Sequence, residues 1–238
     1  MTLFAPAIAP QAMEAAANAL AIEGHARIEP VLDADAATRL CAFLTDTAPW
    51  MRVMNQEAKT WDLDIGELQA LSAPQAEQLM KVIHDQARHG FQFLFDSVRV
   101  SDDPAERTAR GLPIDDLVSA FNTPEWLDVF RRLTGVPDIA MVDGQATRYL
   151  PGHFLTAHDD DVDGKNRVAA YVLNLTPEWR TEWGGLLQFH DDEGDVTHAL
   201  KPRFNALHLL KVPQVHSVSH VAPFAGGSRL SITGWLRR

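Results

Sequence analysis

The chain has 238 residues, of which 46% are hydrophobic, and this suits one large domain with a substantial core. Its 32 acidic and 21 basic residues give a formal net charge of -11, and no basic stripe typical of nucleic-acid binding is visible. We therefore expect a small molecule or a basic polypeptide as the partner, and no nucleic acid.

The single cysteine, Cys41, excludes an intrachain disulfide, which is typical of a reducing cytoplasm, and we predict a cytoplasmic protein. Cys41 lies in the apolar run LCAFL and is expected in the core. The N-terminus is apolar but carries no Lys or Arg before the run, so it is not typical of a signal peptide. No uninterrupted apolar stretch of about 18 residues occurs, so no membrane span is predicted.

Helices and strands are predicted in the N-terminal part of the chain. The Ala-rich residues 11–22 predict a helix, and residues 25–32 alternate like a strand. Asp33 or Asp35 can cap a further helix over 36–46.

The next segment continues this mixture. Residues 50–63 are predicted to be extended, and the capping box Ser72-Ala73-Pro74-Gln75 starts a helix that runs to about residue 89. The aromatic and β-branched residues 91–100 predict a strand. Residues 101–113 are polar and predict a loop.

The pattern changes after two further helices. Residues 114–121 predict a short helix, and Thr123 with Pro124 starts another that closes at Gly135. From residue 139 onward, short apolar runs alternate with turn residues, which favours a β sandwich or jelly roll.

The predicted fold class is α+β, mainly β, with helices supporting the sheets from outside. We expect one domain over residues 1–238. Within it, residues 1–137 form a support region of helices and strands, and residues 138–238 form the jelly-roll core that carries the chemistry.

A candidate metal site lies in the segment RYLPGHFLTAHDDD, which contains His158 and Asp160. Side chains two residues apart on an extended strand point to the same face, so both can reach one ion. His216 offers a third ligand downstream. Two histidines and one carboxylate, with positions left open, are typical of the facial triad of non-haem Fe(II) oxygenases.

The segment RLSITGW predicts an anion-binding arginine. Alternation places Arg229 and Ser231 on one face of a strand, opposite the face that carries Leu230. An inward-facing Arg needs a counter-charge, which a carboxylate ligand supplies. Taken alone, this pattern favours an Arg on a solvent-exposed face. Only in combination with the metal motif does it favour an inward-facing Arg229.

Together, the motifs resemble those of the Fe(II)/2-oxoglutarate-dependent dioxygenases, in particular the prolyl-4-hydroxylase-like branch. The resemblance spans roughly residues 90–238 and is specific from 148 to 235. Besides His158-x-Asp160, the similar segments are Tyr149-x-x-Gly152, RVAAYVLN over 167–174, Gly184-Gly185 before LLQF, His216-Ser217-Val218 and Arg229-Leu230-Ser231.

The resemblance implies a double-stranded β-helix (jelly-roll) core and an oxidoreductase that hydroxylates a prolyl residue in a protein or peptide. The implied cofactors and co-substrates are Fe(II), 2-oxoglutarate and O2, with succinate and CO2 as co-products and ascorbate as the expected reductant. The implied iron ligands are His158, Asp160 and His216, and the implied 2-oxoglutarate contacts are Arg229, Ser231 and Tyr149. No catalytic residue beyond the metal site is implied.

Two positions depart from the family pattern. Many members carry a second Tyr where Leu155 stands, so Tyr149 would have to serve the co-substrate pocket alone. Many prolyl hydroxylases anchor 2-oxoglutarate with Lys, whereas this chain has Arg229.

The substrate stays open at this level. Free proline or another small metabolite is the alternative to a polypeptide. Specificity in such folds lies in loops around the pocket mouth, for which we predict residues 52–70, 101–113 and 176–183.

Two alternative functions differ more widely. A nucleic-acid demethylase shares the core but carries a second Arg where Trp235 stands here, and the acidic balance also argues against it. A cupin-like sugar-binding or isomerase module would need no 2-oxoglutarate, and its metal would be structural or absent.

The acidic run after the metal motif offers a weaker metal site. Asp159-x-Asp161-x-Asp163 begins like a calcium loop, but its twelfth position is Ala170 and no helix is predicted on either side. A solvated turn is the better interpretation.

The remaining histidines have no firm prediction. His190 stands at a strand end without a partner histidine, and His220, four residues after His216, would share the face of that residue on a continuous strand. No role is predicted for His153 or His208.

Overall fold

The structure, a computed structural model, describes residues 4–57 and 59–238. In these residues the α-helices are α1 Pro10–Glu23, α2 Ala34–Asp46, α3 Ile65–Gln69, α4 Ala73–Ala87, α5 Pro104–Arg110, α6 Pro113–Phe121 and α7 Pro124–Thr134. The strands are β1 His25–Ile28, β2 Met51–Gln56, β3 Lys59–Asp64, β4 Phe93–Arg99, β5 Met141–Val142, β6 Gln145–Tyr149, β7 Phe154–His158, β8 Arg167–Asn174, β9 Leu187–His190, β10 Val196–Leu200, β11 Ala206–Lys211, β12 His216–Val218 and β13 Arg229–Arg237.

The strands form one curled antiparallel sheet. Its main path is β1-β11-β8-β13-β6-β4-β7-β12-β9-β10, with β2 and β3 added beside β4 and β5 beside β13. The ring of His25 in β1 stacks on the ring of Phe189 in β9, with centroids 4.0 Å apart, so the two ends of the path approach each other. The predicted jelly-roll core with supporting helices is confirmed.

The two faces of the sheet bury different sets of side chains. The helix side holds the largest apolar cluster, which includes Leu40 of α2, Phe121 of α6 and Ile232 of β13. The inner side holds a smaller cluster that includes Val172 and Phe189. Because side chains alternate along a strand, a central strand such as β8 contributes to both layers, with Tyr171 in the first and Val172 in the second.

The predicted helix boundaries follow from local capping. The Asp33 carboxylate accepts hydrogen bonds from the backbone N–H groups of Asp35 and Ala36 at 3.0 and 3.4 Å, so α2 begins at that point. The capping box that begins at Ser72 is present at the start of α4. Gly135 ends α7 in the left-handed region with φ 70°.

Two predictions about local structure are wrong. Residues 101–113 are not a loop throughout, because α5 forms over Pro104–Arg110 and its start is capped by the Asp103 carboxylate, which accepts from the Ala105 N–H at 2.8 Å. The helix buries only Arg107, so it lacks the apolar stripe that marks a helix in sequence. The strand predicted over 25–32 stops at residue 28, because Pro30 offers no N–H to a ladder.

Among the described residues, none of the helices combines the length and the apolar character needed to cross a membrane. Cys41 is half-buried in α2 and packs against the helix-side cluster, as its apolar neighbours predict.

Candidate metal centre and co-substrate pocket

The structure brings His158, Asp160 and His216 together. One ligand atom from each lies within 4.8 Å of the others. The Nε2 atom of His158 is 3.6 Å from Asp160 Oδ1, and the Nε2 atom of His216 is 3.5 Å from Asp160 Oδ2. These separations fit three donors around one divalent ion with bonds of about 2 Å.

Two elements and one turn place these side chains. His158 ends β7 and lies opposite His216 of β12, and residues opposite each other in an antiparallel pair project from the same face. Asp160 lies beyond the end of the strand and has φ 65°. The prediction that strand alternation orients Asp160 toward the metal is therefore wrong, because a left-handed turn orients it instead. Asp is among the few side chains that tolerate this region.

Backbone carbonyls orient both imidazoles. Nδ1 of His158 is 3.0 Å from the Thr156 carbonyl oxygen, and Nδ1 of His216 is 2.8 Å from the Gln214 carbonyl oxygen. Each carbonyl accepts a hydrogen bond from an Nδ1–H group, so each Nε2 keeps its lone pair on the side of Asp160. Burial, followed by the neighbouring His158, lowers the pKa of His216 to about 4, which keeps that ring in the neutral form that binds metals.

Arg167 supports the turn at Asp160. Its Nη1–H group donates to the Asp160 carbonyl oxygen at 3.0 Å, and its guanidinium lies 3.5 Å from the ring centroid of Trp235. Neither residue is predicted from the sequence to belong to the site. The available signal was an Arg at the head of the apolar run RVAAYVLN, two residues before its first buried position.

A cavity of about 530 Å³ opens beside the three candidate ligands. Aromatic side chains, among them Phe91, Phe93 and Trp235, line it together with Tyr149 and Arg229. The cavity therefore combines apolar walls, a cation and the His-Asp-His set.

Arg229 is a buried cation that lacks a counter-charge in the described part of the chain. It is 2% exposed, its Nε–H has no hydrogen-bond partner, and no described carboxylate is among the groups that act on its pKa. Its guanidinium lies 5.0 Å from the Tyr149 ring centroid. Because a buried unpaired charge is costly, this arrangement fits a ligand that carries a carboxylate, as 2-oxoglutarate does.

The other two residues with a predicted co-substrate role differ in position. Tyr149 lines the cavity, and burial raises the pKa of its phenol to about 12 despite the neighbouring Arg229, so it stays protonated. Ser231 is fully buried, does not line the cavity, and has its hydroxyl 2.8 Å from the Thr147 hydroxyl. Thr147 itself lines the cavity and was missed by sequence analysis.

The remaining histidines lie outside the candidate centre. The expectation that His220 shares the face of His216 is wrong, because β12 ends at Val218 and His220 lies exposed in a separate groove, stacked on Phe154. His190 pairs through Nε2 with the Ser217 hydroxyl at 2.8 Å.

The predicted specificity loops contribute unequally. Val53 and Thr60 of the 52–70 segment line the cavity, whereas none of the described residues in 101–113 or 176–183 does. The acidic residues Asp159, Asp161 and Asp163 lie in an exposed turn, and the first two reach the mouth of the cavity.

Part of the chain matches a known protein family. Residues 144–237 match the 2OG-Fe(II) oxygenase superfamily. The match covers less than half of the chain. The matched region contains the three candidate ligands and Arg229, so the resemblance drawn from the sequence motifs is confirmed.

Two similar proteins with a curated description are prolyl 3-hydroxylases. The chain is 36% identical over 118 residues to prolyl 3-hydroxylase OGFOD1 of Xenopus laevis, an alignment that covers 47% of this chain and 22% of that protein. It is 32% identical over 117 residues to prolyl 3-hydroxylase OGFOD1 of Mus musculus, an alignment that covers 46% of this chain and 20% of that protein. The match therefore spans less than a quarter of the length of these relatives.

Solved structures of prolyl hydroxylases share the fold of this chain. A Pseudomonas putida prolyl-4-hydroxylase superposes with a TM-score of 0.57 at 19% identity, covering 95% of this chain and 98% of the other. A Trichoplax adhaerens prolyl hydroxylase in complex with a hypoxia inducible factor peptide fragment gives 0.60 at 16% identity, covering 95% and 90%.

Proposed function

We propose that this protein is an Fe(II)- and 2-oxoglutarate-dependent dioxygenase that hydroxylates a prolyl residue in a protein or peptide. The observation that carries the proposal is Arg229, a buried guanidinium for which the described residues supply no acidic partner. It lies on the wall of the cavity that also holds the His-Asp-His set. The family match over 144–237 and the prolyl hydroxylase relatives support it.

The residues present fit iron and 2-oxoglutarate. His158, Asp160 and His216 would hold Fe(II) from one side and leave the other positions open, and Arg229 would pair with the distal carboxylate of 2-oxoglutarate. When bound, these groups let O2 oxidise 2-oxoglutarate to succinate and CO2, with one oxygen atom entering succinate and the other becoming the new hydroxyl.

The protein's own contribution is orientation and shielding. The carbonyls of Thr156 and Gln214 fix the two imidazoles, and Arg167 fixes the turn at Asp160. Phe93 and Trp235 give the cavity apolar walls, which exclude water and suit the ring of a proline. Tyr149 remains a neutral hydrogen-bond donor beside Arg229.

The cavity mouth favours a polypeptide over a small metabolite. Phe91 and Val162 line the cavity, yet they are 49% and 45% exposed, and the hairpin β2–β3 reaches the same opening through Thr60. An exposed apolar rim gives a substrate surface beyond the reacting ring, which free proline cannot use. Ascorbate dependence and a cytoplasmic location stay predictions, as does the absence of nucleic-acid and membrane partners.

The first test is anaerobic binding of Fe(II) and 2-oxoglutarate, followed by the weak visible charge-transfer band. We expect the band only when both are present, and we expect much higher concentrations to be needed when 2-oxopentanoate, which lacks the distal carboxylate, replaces 2-oxoglutarate. A protein that binds Fe(II) but gives no response to 2-oxoglutarate would contradict the co-substrate assignment.

The second test identifies the substrate class. The protein is incubated with Fe(II), 2-oxoglutarate, O2 and either a cell extract or free proline, and products are searched by mass spectrometry. We expect succinate together with a hydroxylated prolyl residue in a polypeptide. Hydroxylation of free proline alone would support the small-metabolite alternative, and succinate-free isomerisation would support the cupin-like one.

A further inference from the structure

His208 is a buried imidazole without a hydrogen-bond partner. It lies in the middle of β11, is 1% exposed, and neither of its ring nitrogens is bonded to any described residue. A neutral imidazole always has one N–H donor and one acceptor nitrogen. Because buried polar groups are almost always satisfied, this ring points to a group that the chain itself does not supply.

The strand register places His208 on the inner face of the curl. Its neighbours Leu207 and Leu209 belong to the helix-side cluster, so His208 projects the other way. It lies opposite Val172 of β8, which in turn lies opposite Thr233 of β13. Val172 and Thr233 both line the co-substrate cavity, and His208 lies beside Val172 on the next strand, buried and not itself among the lining residues.

Two further buried polar groups without partners flank this position. The Asn174 Oδ1 atom, on the same face of β8 as Val172, has no hydrogen-bond partner, and neither has Arg229 Nε. Three adjacent strands, β11, β8 and β13, therefore each present one unsatisfied polar group to one interior. A ligand with several acceptor atoms would accept hydrogen bonds from Arg229 Nε–H and from a His208 N–H, whereas Asn174 Oδ1 is itself an acceptor.

The surroundings of His208 are electropositive. Burial first, and then Arg229, lower the pKa of His208 to about 3, and the remaining charged contributions, from Arg27, His25 and Arg203, also lower it. No described carboxylate is among the groups that act on the ring. A neutral N–H donor beside an unpaired guanidinium is suited to an anion.

We propose that His208 donates a hydrogen bond to the distal carboxylate of bound 2-oxoglutarate beside Arg229, and thereby helps to select a dicarboxylic 2-oxo acid. The Asn174 amide, which has both a donor and an acceptor end, completes the polar end of the pocket. This inference rests on the proposed function, because it assigns a further residue to the same co-substrate site.

The test compares two ligands that differ only at the distal carboxylate. Isothermal titration under anaerobic conditions with Fe(II) measures the Kd of 2-oxoglutarate and of 2-oxopentanoate for the wild type, His208→Leu and His208→Gln. Leu210→Val, on the same strand and the same face, is the matched control for repacking. Thermal unfolding of the metal-free proteins reports whether each variant folds.

We expect His208→Leu to weaken 2-oxoglutarate binding by roughly tenfold to a hundredfold, as for a lost hydrogen bond to a charged group. Its binding of 2-oxopentanoate should be unchanged. His208→Gln keeps a donor and should recover part of the loss, and Leu210→Val should bind both ligands as the wild type does. The melting temperature of metal-free His208→Leu should be no lower than that of the wild type, because an unsatisfied polar group is removed.

Several outcomes would overturn the inference. An unchanged Kd for 2-oxoglutarate in both His208 variants would show that the ring does not contact the ligand. Equal weakening of both ligands would show a packing role only. If the wild type binds 2-oxoglutarate and only the His208 effect is missing, the proposed function survives; if the wild type does not bind it, the proposed function fails as well.

Discussion

At the scale of single residues, the candidate centre depends on how Asp160 is held. Its left-handed backbone, with φ 65°, is kept by the contact from Arg167, and its carboxylate lies between two rings whose Nδ1 atoms are already engaged. Strained backbone at such a point is common where geometry serves chemistry. The neighbouring carboxylate of Asp159 has the same chemistry but lies exposed at the rim.

This contrast gives a matched pair of variants. We predict that Asp160→Ala weakens Fe(II) binding by more than about a hundredfold, since outer-shell changes alone cost up to that much. Asp159→Ala should bind Fe(II) within a few-fold of the wild type. Metal content after anaerobic loading and gel filtration measures both. Full iron content in Asp160→Ala would remove this residue from the ligand set.

Arg229 should behave as the anchor of an anion. We predict that Arg229→Ala raises the Kd of 2-oxoglutarate by about a hundredfold or more, because a buried charge partner is removed. The Kd of Arg229→Lys should lie between those of the wild type and Arg229→Ala, because the positive charge remains while the planar guanidinium is lost. Anaerobic titration of the Fe(II)-loaded proteins decides, and an unchanged Kd in Arg229→Ala would contradict the anchor role.

At the scale of elements, the turn before β9 packs against Arg229. Gly184 has φ 69° and ψ -147°, and a Cβ atom there would lie 2.1 Å from the His220 carbonyl oxygen. A Cβ atom on Gly185 would lie 3.4 Å from Arg229 Cδ. The two glycines therefore permit a close backbone approach that positions the arginine.

A second glycine separates backbone strain from steric collision. Gly194 also has positive φ, 88°, but nothing lies within 4 Å of a Cβ atom placed there. We predict that Gly194→Ala costs about 1 kcal/mol in the free energy of unfolding, and Gly184→Ala at least about 3 kcal/mol. Urea denaturation measures both, and equal losses would show that the contact with His220 relaxes easily.

At the scale of the whole molecule, buried neutral histidines make stability depend on pH. Burial is the largest cause that lowers the pKa of His153 to about 4 and that of His208 to about 3, from 6.5. As pH falls below 6.5, the unfolded chain binds protons at both positions while the folded protein does not. The contribution of these two histidines to the free energy of unfolding is therefore complete above pH 6.5 and is lost as pH falls toward 4.

We predict that these two groups together cost several kcal/mol between pH 6.5 and pH 4, at about 1.4 kcal/mol per pH unit for each. In His208→Leu the free energy of unfolding should decline less steeply over this range than in the wild type, because the contribution of His208 is gone. Urea unfolding of the metal-free proteins at a series of pH values measures the slopes. Equal slopes in the two proteins would mean that His208 makes no contribution to the pH dependence of stability.

Local sequence signals determined much of the architecture. Capping residues such as Asp33 and Ser72 and the left-handed Gly135 set helix ends, because these effects act within a few residues. The short apolar runs after residue 139 predicted the strands for the same reason. The spacing of His158, Asp160, His216 and Arg229 indicated one site through resemblance to a family.

Only the tertiary structure decided which side chains share the interior of the curl. The antiparallel register between distant strands sets His216 opposite His158 and puts His208 on the inner face, and no local pattern encodes that pairing. The position of His220 outside the cavity and the turn at Asp160 likewise depend on the residues at which β12 and β7 end. Burial then turns ordinary side chains into unsatisfied ones, because desolvation acts only after the sheet has curled around them.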